Sequence, residues 1–173
     1  YNVAVGDQTL ATNSTASGTV AVGYQTLYAN TTGIYGTAVG HQALVANTTA
    51  NYNTAVGYNA AQANTTGGVT AFGTNALYSN TTGSANTAIG GYDGATGTYA
   101  ALQGNTTGSY NIAVGTGALK SNTTASYNTA VGYQAGYSNT TGTGNTALGG
   151  TSLYANTTSS YNTAIGLQAL QNA

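Results

Sequence analysis

Residues 47–57 read NTTANYNTAVG, and both phrases in this stretch, Asn-Thr-Thr and Thr-Ala-Val-Gly, return along the whole chain. The glycine that closes the second phrase recurs in steps of 17 residues, apart from one step of 16 and one of 25. It stands at Gly6, Gly23, Gly40, Gly57, Gly73, Gly90, Gly115, Gly132, Gly149 and Gly166. Self-similarity at a fixed period indicates a repeat architecture. The 173-residue chain is therefore ten units, with a deletion near Gly68 and an eight-residue insertion, 91–98.

Each unit contains a short strand signal. Thr-Ala-Val places β-branched residues on one face of a strand and alanine on the other. One column is always bulky and apolar: Val5, Val22, Val39, Val56, Phe72, Ile89, Val114, Val131, Leu148 and Ile165. A second column is mostly leucine: Leu10, Leu27, Leu44, Leu77, Leu102, Leu119, Leu153 and Leu170. We expect one strand, a glycine turn, a second strand around Gln-Ala-Leu, and an Asn-Thr-Thr-Gly corner.

A unit of this size cannot bury its own apolar face, but a stack of such units can. Strands of successive units would pair in parallel at about 4.8 Å, giving a rod roughly 50 Å long. The predicted fold is all-β, a parallel β-solenoid of ten coils forming a single domain over residues 1–173. The bulky column and the leucine column are expected to point inward. The chain opens and stops inside a repeat, which suggests a segment of a longer fibre.

One column is alanine in every unit, which requires close approach of another surface. Two alternatives explain it: tight packing within one coil, or contact between chains around a symmetry axis. The column comprises Ala4, Ala21, Ala38, Ala55, Ala71, Ala88, Ala113, Ala130, Ala147 and Ala164.

Composition excludes several functional classes. Only 2% of residues are charged, with one Lys or Arg and two Asp or Glu, so no basic patch for nucleic acid exists. No apolar run is long enough to span a membrane. Asp7, His41, Asp93 and Lys120 lie in different units, and no set of them forms a metal or catalytic constellation. We expect no enzyme activity, no metal and no cofactor in this segment.

The Asn-Thr-Thr triplets have two interpretations, which are compatible. Asparagine and the glycine that often follows favour a tight corner, and stacked asparagines can bond from rung to rung. Each triplet is also an N-glycosylation acceptor. The candidate attachment sites are Asn13, Asn30, Asn47, Asn64, Asn80, Asn105, Asn122, Asn139 and Asn156. A third interpretation, ice or crystalline-polysaccharide binding by ranks of threonine, is weakened because these threonines lie in a turn.

Tyrosines also recur in columns, and they either cap the sheet or bind sugar rings through their faces. The columns are Tyr24, Tyr58 and Tyr133; Tyr28, Tyr78, Tyr137 and Tyr154; and Tyr1, Tyr35, Tyr52, Tyr110, Tyr127 and Tyr161. The insertion at 91–98 must bulge from the rod, and loops on rigid scaffolds often carry recognition. Tyr92, Asp93 and Tyr99 are its candidate recognition residues, with a neutral surface insertion as the alternative.

The phrases at 3–6, 20–23 and 112–115 resemble the Val-Ala-Ile-Gly core of the head repeats in YadA-like trimeric autotransporter adhesins. They look closer still to Asn-Thr-Ala-Val-Gly repeats of phage tail fibres and bacterial surface fibres. The resemblance covers all ten units. It implies a left-handed parallel β-roll, three chains around one axis, and attachment outside the cell. Here the unit is longer, and most copies place threonine where the family prefers valine.

The sequence therefore predicts a structural and adhesive segment of an extracellular fibre on a cell or virion surface. Its partners would be copies of itself, as a homotrimer, and a carbohydrate or cell-surface receptor. The alternative is a single-chain solenoid that polymerises end to end into a glycan-coated filament, since open strand edges invite such stacking.

Overall fold

The computed structural model describes residues 1–92, 94, 97 and 99–172, and its regular elements there are ten short β-strands. They are β1 (Asn2–Val5), β2 (Thr19–Val22), β3 (Thr37–Val39), β4 (Thr54–Val56), β5 (Val69–Phe72), β6 (Asn86–Ile89), β7 (Ile112–Val114), β8 (Thr129–Val131), β9 (Thr146–Leu148) and β10 (Thr163–Ile165). They form one parallel sheet in chain order. The predicted parallel β-solenoid is confirmed, with about nine turns joining the ten strands.

Equivalent residues of successive units pair across the whole sheet. Ala21 pairs with Ala38, and Ala38 pairs with Ala55, one repeat apart each time. The 16-residue unit keeps this register, because Ala55 pairs with Ala71. The 25-residue unit keeps it too, because Ala88 pairs with Ala113. Insertions and deletions are therefore absorbed between strands, and the sheet itself is uninterrupted.

The expected second strand around Gln-Ala-Leu is wrong, because this segment is a turn. Gln25 and Leu27 both have left-handed backbone, with φ of 52° and 51°. Such φ values are costly for β-branched residues. Among the described non-glycine residues with positive φ, only Thr151 is β-branched. The turn still bonds from coil to coil, since the Leu27 N–H donates to the Ala43 carbonyl at 3.1 Å.

The bulky column does not point inward as expected; the alanine column does. Ala21, Ala38 and Ala113 are fully buried, whereas Val39 is 36% exposed and Ile89 is 43% exposed. Nine of the ten alanines, all except Ala4, are buried within the single chain. They therefore pack inside the coil and are not available as a surface between chains. The coil is too thin for a larger side chain at this position, while the leucines fill the other side of the core as expected.

Buried asparagines complete the core in two ladders. The first holds the leading asparagine of each triplet: Asn105 donates from Nδ2 to Asn80 Oδ1 at 2.8 Å and to the Gly108 carbonyl at 2.9 Å. The second ladder precedes the strands, where the Asn128 N–H donates to Asn111 Oδ1 at 3.0 Å. Each amide thus bonds within its own coil or to a neighbouring one. A polar interior of this kind is stable only when its groups are bonded.

The second ladder has a gap at Gly36. Here Gly36 stands between Thr19 and Asn53, where most units carry asparagine. The Thr19 hydroxyl is buried without a hydrogen-bond partner. A Cβ at Gly36 would meet only Leu27 Cδ1 and Thr19 Cγ2, both at 3.7 Å, and its backbone is not in the left-handed region. The site therefore has room for the missing side chain.

We expect Gly36→Asn to stabilise the fold by about 1 kcal/mol, since it reduces unfolded-state entropy and extends the amide ladder. Thermal unfolding by calorimetry should show a midpoint raised by about 2–4 °C. The matched control is Gly40→Asn. Gly40 has φ of +135° and its Cβ would lie 2.4 Å from the Gly57 carbonyl oxygen. The control should lose stability, and equal behaviour of the two variants would contradict the ladder assignment.

Candidate functional surfaces

The outward residue of each strand builds a continuous apolar file along the sheet. We call this the apolar file; it consists of Val5, Val22, Val39, Val56, Phe72, Ile89, Val114, Val131, Leu148 and Ile165. Its members are exposed or half-buried, with Leu148 45% exposed. Since successive strands lie about 4.8 Å apart, the file is roughly 43 Å long. Beside it runs a second outward file, mostly threonine (Thr54, Thr70, Thr87). Exposed apolar surface this continuous marks an interaction site.

The glycan-attachment interpretation does not fit the folded chain. Eight of the nine candidate asparagines are buried, from Asn30 to Asn156, with exposures of 0–3%. Asn122 shows why: its Nδ2 donates to Asn105 Oδ1 at 2.8 Å and to the Ala125 carbonyl at 3.0 Å. An N-linked glycan would have to replace one of the two hydrogens on Nδ2, and both of these are bonded inside the core. Only Asn13, in the first triplet, is half-buried. The corner interpretation describes the other eight.

The threonines of each triplet divide into two files. The first threonine bonds to the next coil, as when the Thr106 hydroxyl donates to the Thr123 carbonyl at 3.0 Å. The second threonine is exposed, as at Thr107 and Thr124. The outer threonines thus form one narrow file at a corner, so the triplets do not build a broad flat rank.

Tyrosine rings stack on one another along the rod. The Tyr110 and Tyr127 ring centroids lie 5.1 Å apart with planes at 3°, and Tyr137 and Tyr154 are 5.1 Å apart at 9°. His41 continues a third stack between Tyr24 and Tyr58, at 5.1 and 5.2 Å. A ring face that packs on another ring is closed to a sugar. Sugar binding through ring faces therefore requires a ring at the end of a stack or outside a stack.

The described residues on both sides of the insertion keep their backbone hydrogen bonds to the rod. The Tyr92 N–H still donates to the Thr74 carbonyl at 2.8 Å, and the Ala101 N–H donates to Gly90 at 3.0 Å. Of the candidate recognition residues, Tyr92 and Tyr99 are exposed, with ring centroids 6.5 Å apart, and Asp93 lies outside the described residues. The insertion is held to the rod by Lys120, whose Nζ lies 4.2 Å from the Tyr99 ring centroid.

The same lysine approaches the Tyr137 ring, at 5.6 Å from its centroid. Burial raises the pKa of the Tyr137 hydroxyl above its ordinary 10.0, and the nearby Tyr154 raises it further. Tyr137 is therefore neutral at physiological pH and offers Lys120 a ring face. This cation–π contact is worth about 0.5–1 kcal/mol at an exposed site.

A notch opens where the Tyr35–Tyr52 stack ends. Its volume is about 510 Å³, and its lining includes Asn51, Tyr52, Gly68, Ser84 and Ala85. It spans the unit shortened by the deletion and the unit that follows, where Gly68 and Ala85 stand in place of tyrosine.

Among the described residues, the titratable candidates Asp7, His41 and Lys120 do not come together in one site. Asp7 and His41 are exposed on different coils, and Lys120 contacts the insertion. Within the described ranges, no group of three or more His, Cys, Asp or Glu side chains could hold a metal ion. The part of the chain that the structure describes also contains no helix long and apolar enough to cross a membrane.

No family model, curated protein or solved structure matches this chain. The function of the chain must therefore be inferred from its own surfaces. Sequence reasoning missed two of them, the outward direction of the apolar file and the notch. A signal for the notch was present, since the tyrosine column loses its rings at Gly68 and Ala85 in consecutive units.

We expect Asn105→Ala to destabilise the fold by about 3 kcal/mol, since it removes bonds to two neighbouring coils and leaves buried partners unpaired. Denaturant unfolding measures the loss. Thr107→Ala, an exposed position of the same triplet, should change stability by no more than about 0.5 kcal/mol. Equal effects at the two positions would show that the amide ladder contributes little.

Proposed function

We propose that this chain is a rod-like segment of an extracellular fibre in which three copies associate along their apolar files. The outward corners, with their threonines and tyrosines, then form the fibre's attachment surface. The observation that carries the proposal is the apolar file, ten outward apolar residues in register along the whole sheet.

A second copy of the chain is the partner that fits this file best. Each rung repeats at the strand spacing, about 4.8 Å. A surface with another spacing would meet a few rungs well and then drift out of register. A parallel copy has the same spacing and meets every rung, so the contact extends over the full length of the rod. Closed symmetry among identical chains is also the usual form of such association.

Electrostatics favour the same partner. The apolar file and the threonine file beside it carry no ionisable group, so bringing two copies together buries no charge. With only 2% charged residues, the chain also has little net repulsion between copies. The number three rests on the resemblance to trimeric adhesin heads, where the same phrase recurs.

An extracellular role fits the composition. The sequence has a single Lys or Arg, so trypsin-like proteases have one site, Lys120. That lysine is half-buried and packs over Tyr99. The continuous coil-to-coil hydrogen bonding leaves few flexible segments for other proteases. A glycan-coated filament does not fit this chain, because eight of the nine acceptor asparagines are core residues.

Mass measurement tests the assembly. Under denaturing conditions the chain should have its own mass of 17.0 kDa, and under native conditions three times that value. Ile89→Glu places a carboxylate in the middle of the apolar file, and burying it against two other copies is costly. This variant should run as a monomer in light scattering after size exclusion, with the circular dichroism of the wild type.

The matched control is Thr107→Glu, which adds the same charge at an exposed corner and should leave the trimer intact. A wild-type chain that stays monomeric at its highest soluble concentration would contradict the proposal. So would an Ile89→Glu variant that associates as well as Thr107→Glu.

A further inference from the structure

The tyrosine file that precedes the strands is interrupted once by two consecutive units without a ring. Tyr35 stacks on Tyr52 at 5.6 Å and 16°, and Tyr110 stacks on Tyr127. Between these pairs stand Gly68 and Ala85. Two ring positions are therefore vacant, and the Tyr52 ring, which is 70% exposed, ends its stack at the gap. The notch of about 510 Å³ occupies this gap.

The lining combines one aromatic wall with neutral polar groups. Tyr52 forms the wall, and Gly68 and Ala85 lie where rings would otherwise stand. Asn51, Ser84 and Thr70 supply amide and hydroxyl groups around them. The Asn51 side chain is held in place because its Oδ1 accepts the Ile34 N–H at 2.8 Å. The Ser84 backbone is held because its N–H donates to Ser109 Oγ at 3.0 Å. The notch is thus preformed and held by coil-to-coil bonds.

We propose that this notch binds a neutral carbohydrate of about two sugar rings. A pyranose has an apolar C–H face that packs on tyrosine, and hydroxyls at its edge that bond to amides and hydroxyls. None of the lining residues is charged, which disfavours an ionic ligand. The volume lies within the range of about 300–1,000 Å³ usual for small-ligand sites. The vacancy of two ring positions sets the length of ligand that can stack there.

The site does not depend on association of the chain. Asn51, Tyr52, Ser84 and Ala85 precede the strands, on the corner side of the apolar file. All lining residues belong to one chain, so a monomer should bind, although Thr70 and Thr87 of the lining also border the proposed interface. Failure of the proposed assembly, measured by mass, is distinguishable from failure of this site, measured by ligand binding.

Ala85→Tyr is the sharpest test variant. Ala85 has φ of 54°, close to the 59° of Tyr52 and the 58° of Tyr110, so a tyrosine can adopt this backbone as it does in neighbouring coils. Its ring would fill the notch and extend the stack from Tyr110. The fold should be retained or stabilised, so loss of binding in this variant could not be attributed to unfolding. Tyr52→Ala removes the aromatic wall as a second variant.

The probes are cellobiose and N,N′-diacetylchitobiose, titrated into the full chain while binding is followed by saturation-transfer NMR. We expect wild-type binding with Kd on the order of 1 mM, because the site is open and uses a single ring face. Tyr52→Ala should weaken binding about fivefold or more, because it removes the only aromatic face among the lining residues. Ala85→Tyr should abolish it, and Tyr161→Ala, far along the rod, should leave it unchanged.

Binding of neither probe by the wild type would overturn the proposal. Equal binding by wild type and Ala85→Tyr would also overturn it, because the sugar would then occupy another surface. Loss of binding in Tyr161→Ala to the same degree as in Tyr52→Ala would assign recognition to exposed tyrosines in general, and would equally contradict the notch.

Discussion

Coil-to-coil hydrogen bonding at one fixed spacing is the constraint on which the rest of this molecule depends. Outside the strands, the turns and corners also bond to the coil above or below, as at Leu27 to Ala43 and Thr106 to Thr123. Each unit must therefore present its donors and acceptors at the same height as its neighbours. A residue that disturbs one coil disturbs two interfaces at once. This double penalty accounts for the near-identity of the ten units better than any property of a single coil.

The same constraint selects the residues in the core. A coil of this size leaves space for alanine from the strand, leucine from the turn and asparagine from the corner. Alanine and leucine contribute apolar burial, while asparagine joins a carbonyl in its own coil to an amide in the next. A buried amide with every group bonded fixes register, because a shift by one residue would leave it unpaired. The asparagine ladders thus give the thin core a specificity that alanine alone could not.

The solenoid could be predicted from the sequence because a period of 17 residues and a strand signal repeat ten times. The face that each strand turns towards the core could not be predicted. Thr-Ala-Val alternates whichever face is buried, and a bulky residue usually points inward. Here the narrow cross-section of the coil decides which side chains point inward. That cross-section is set by turns that the sequence does not specify locally. The segment around Gln25 and Leu27 is a turn and not the predicted strand, although the sequence contains one signal for a turn. Its column contains leucine and no valine or isoleucine, which suits left-handed backbone better than strand.

A rod of identical rungs has the same surface at every height, so it can carry position-specific recognition only where the repeat is broken. The two breaks in the spacing of this chain are separated by one regular unit: the deletion lies near Gly68, where the notch opens, and the insertion lies at 91–98. The regular files are suited to association with another regular object, above all a copy of the chain. The broken region is suited to one small ligand at one place. On the functions proposed above, association would use the regular sheet, and binding of a single small ligand would use the irregular region around Gly68.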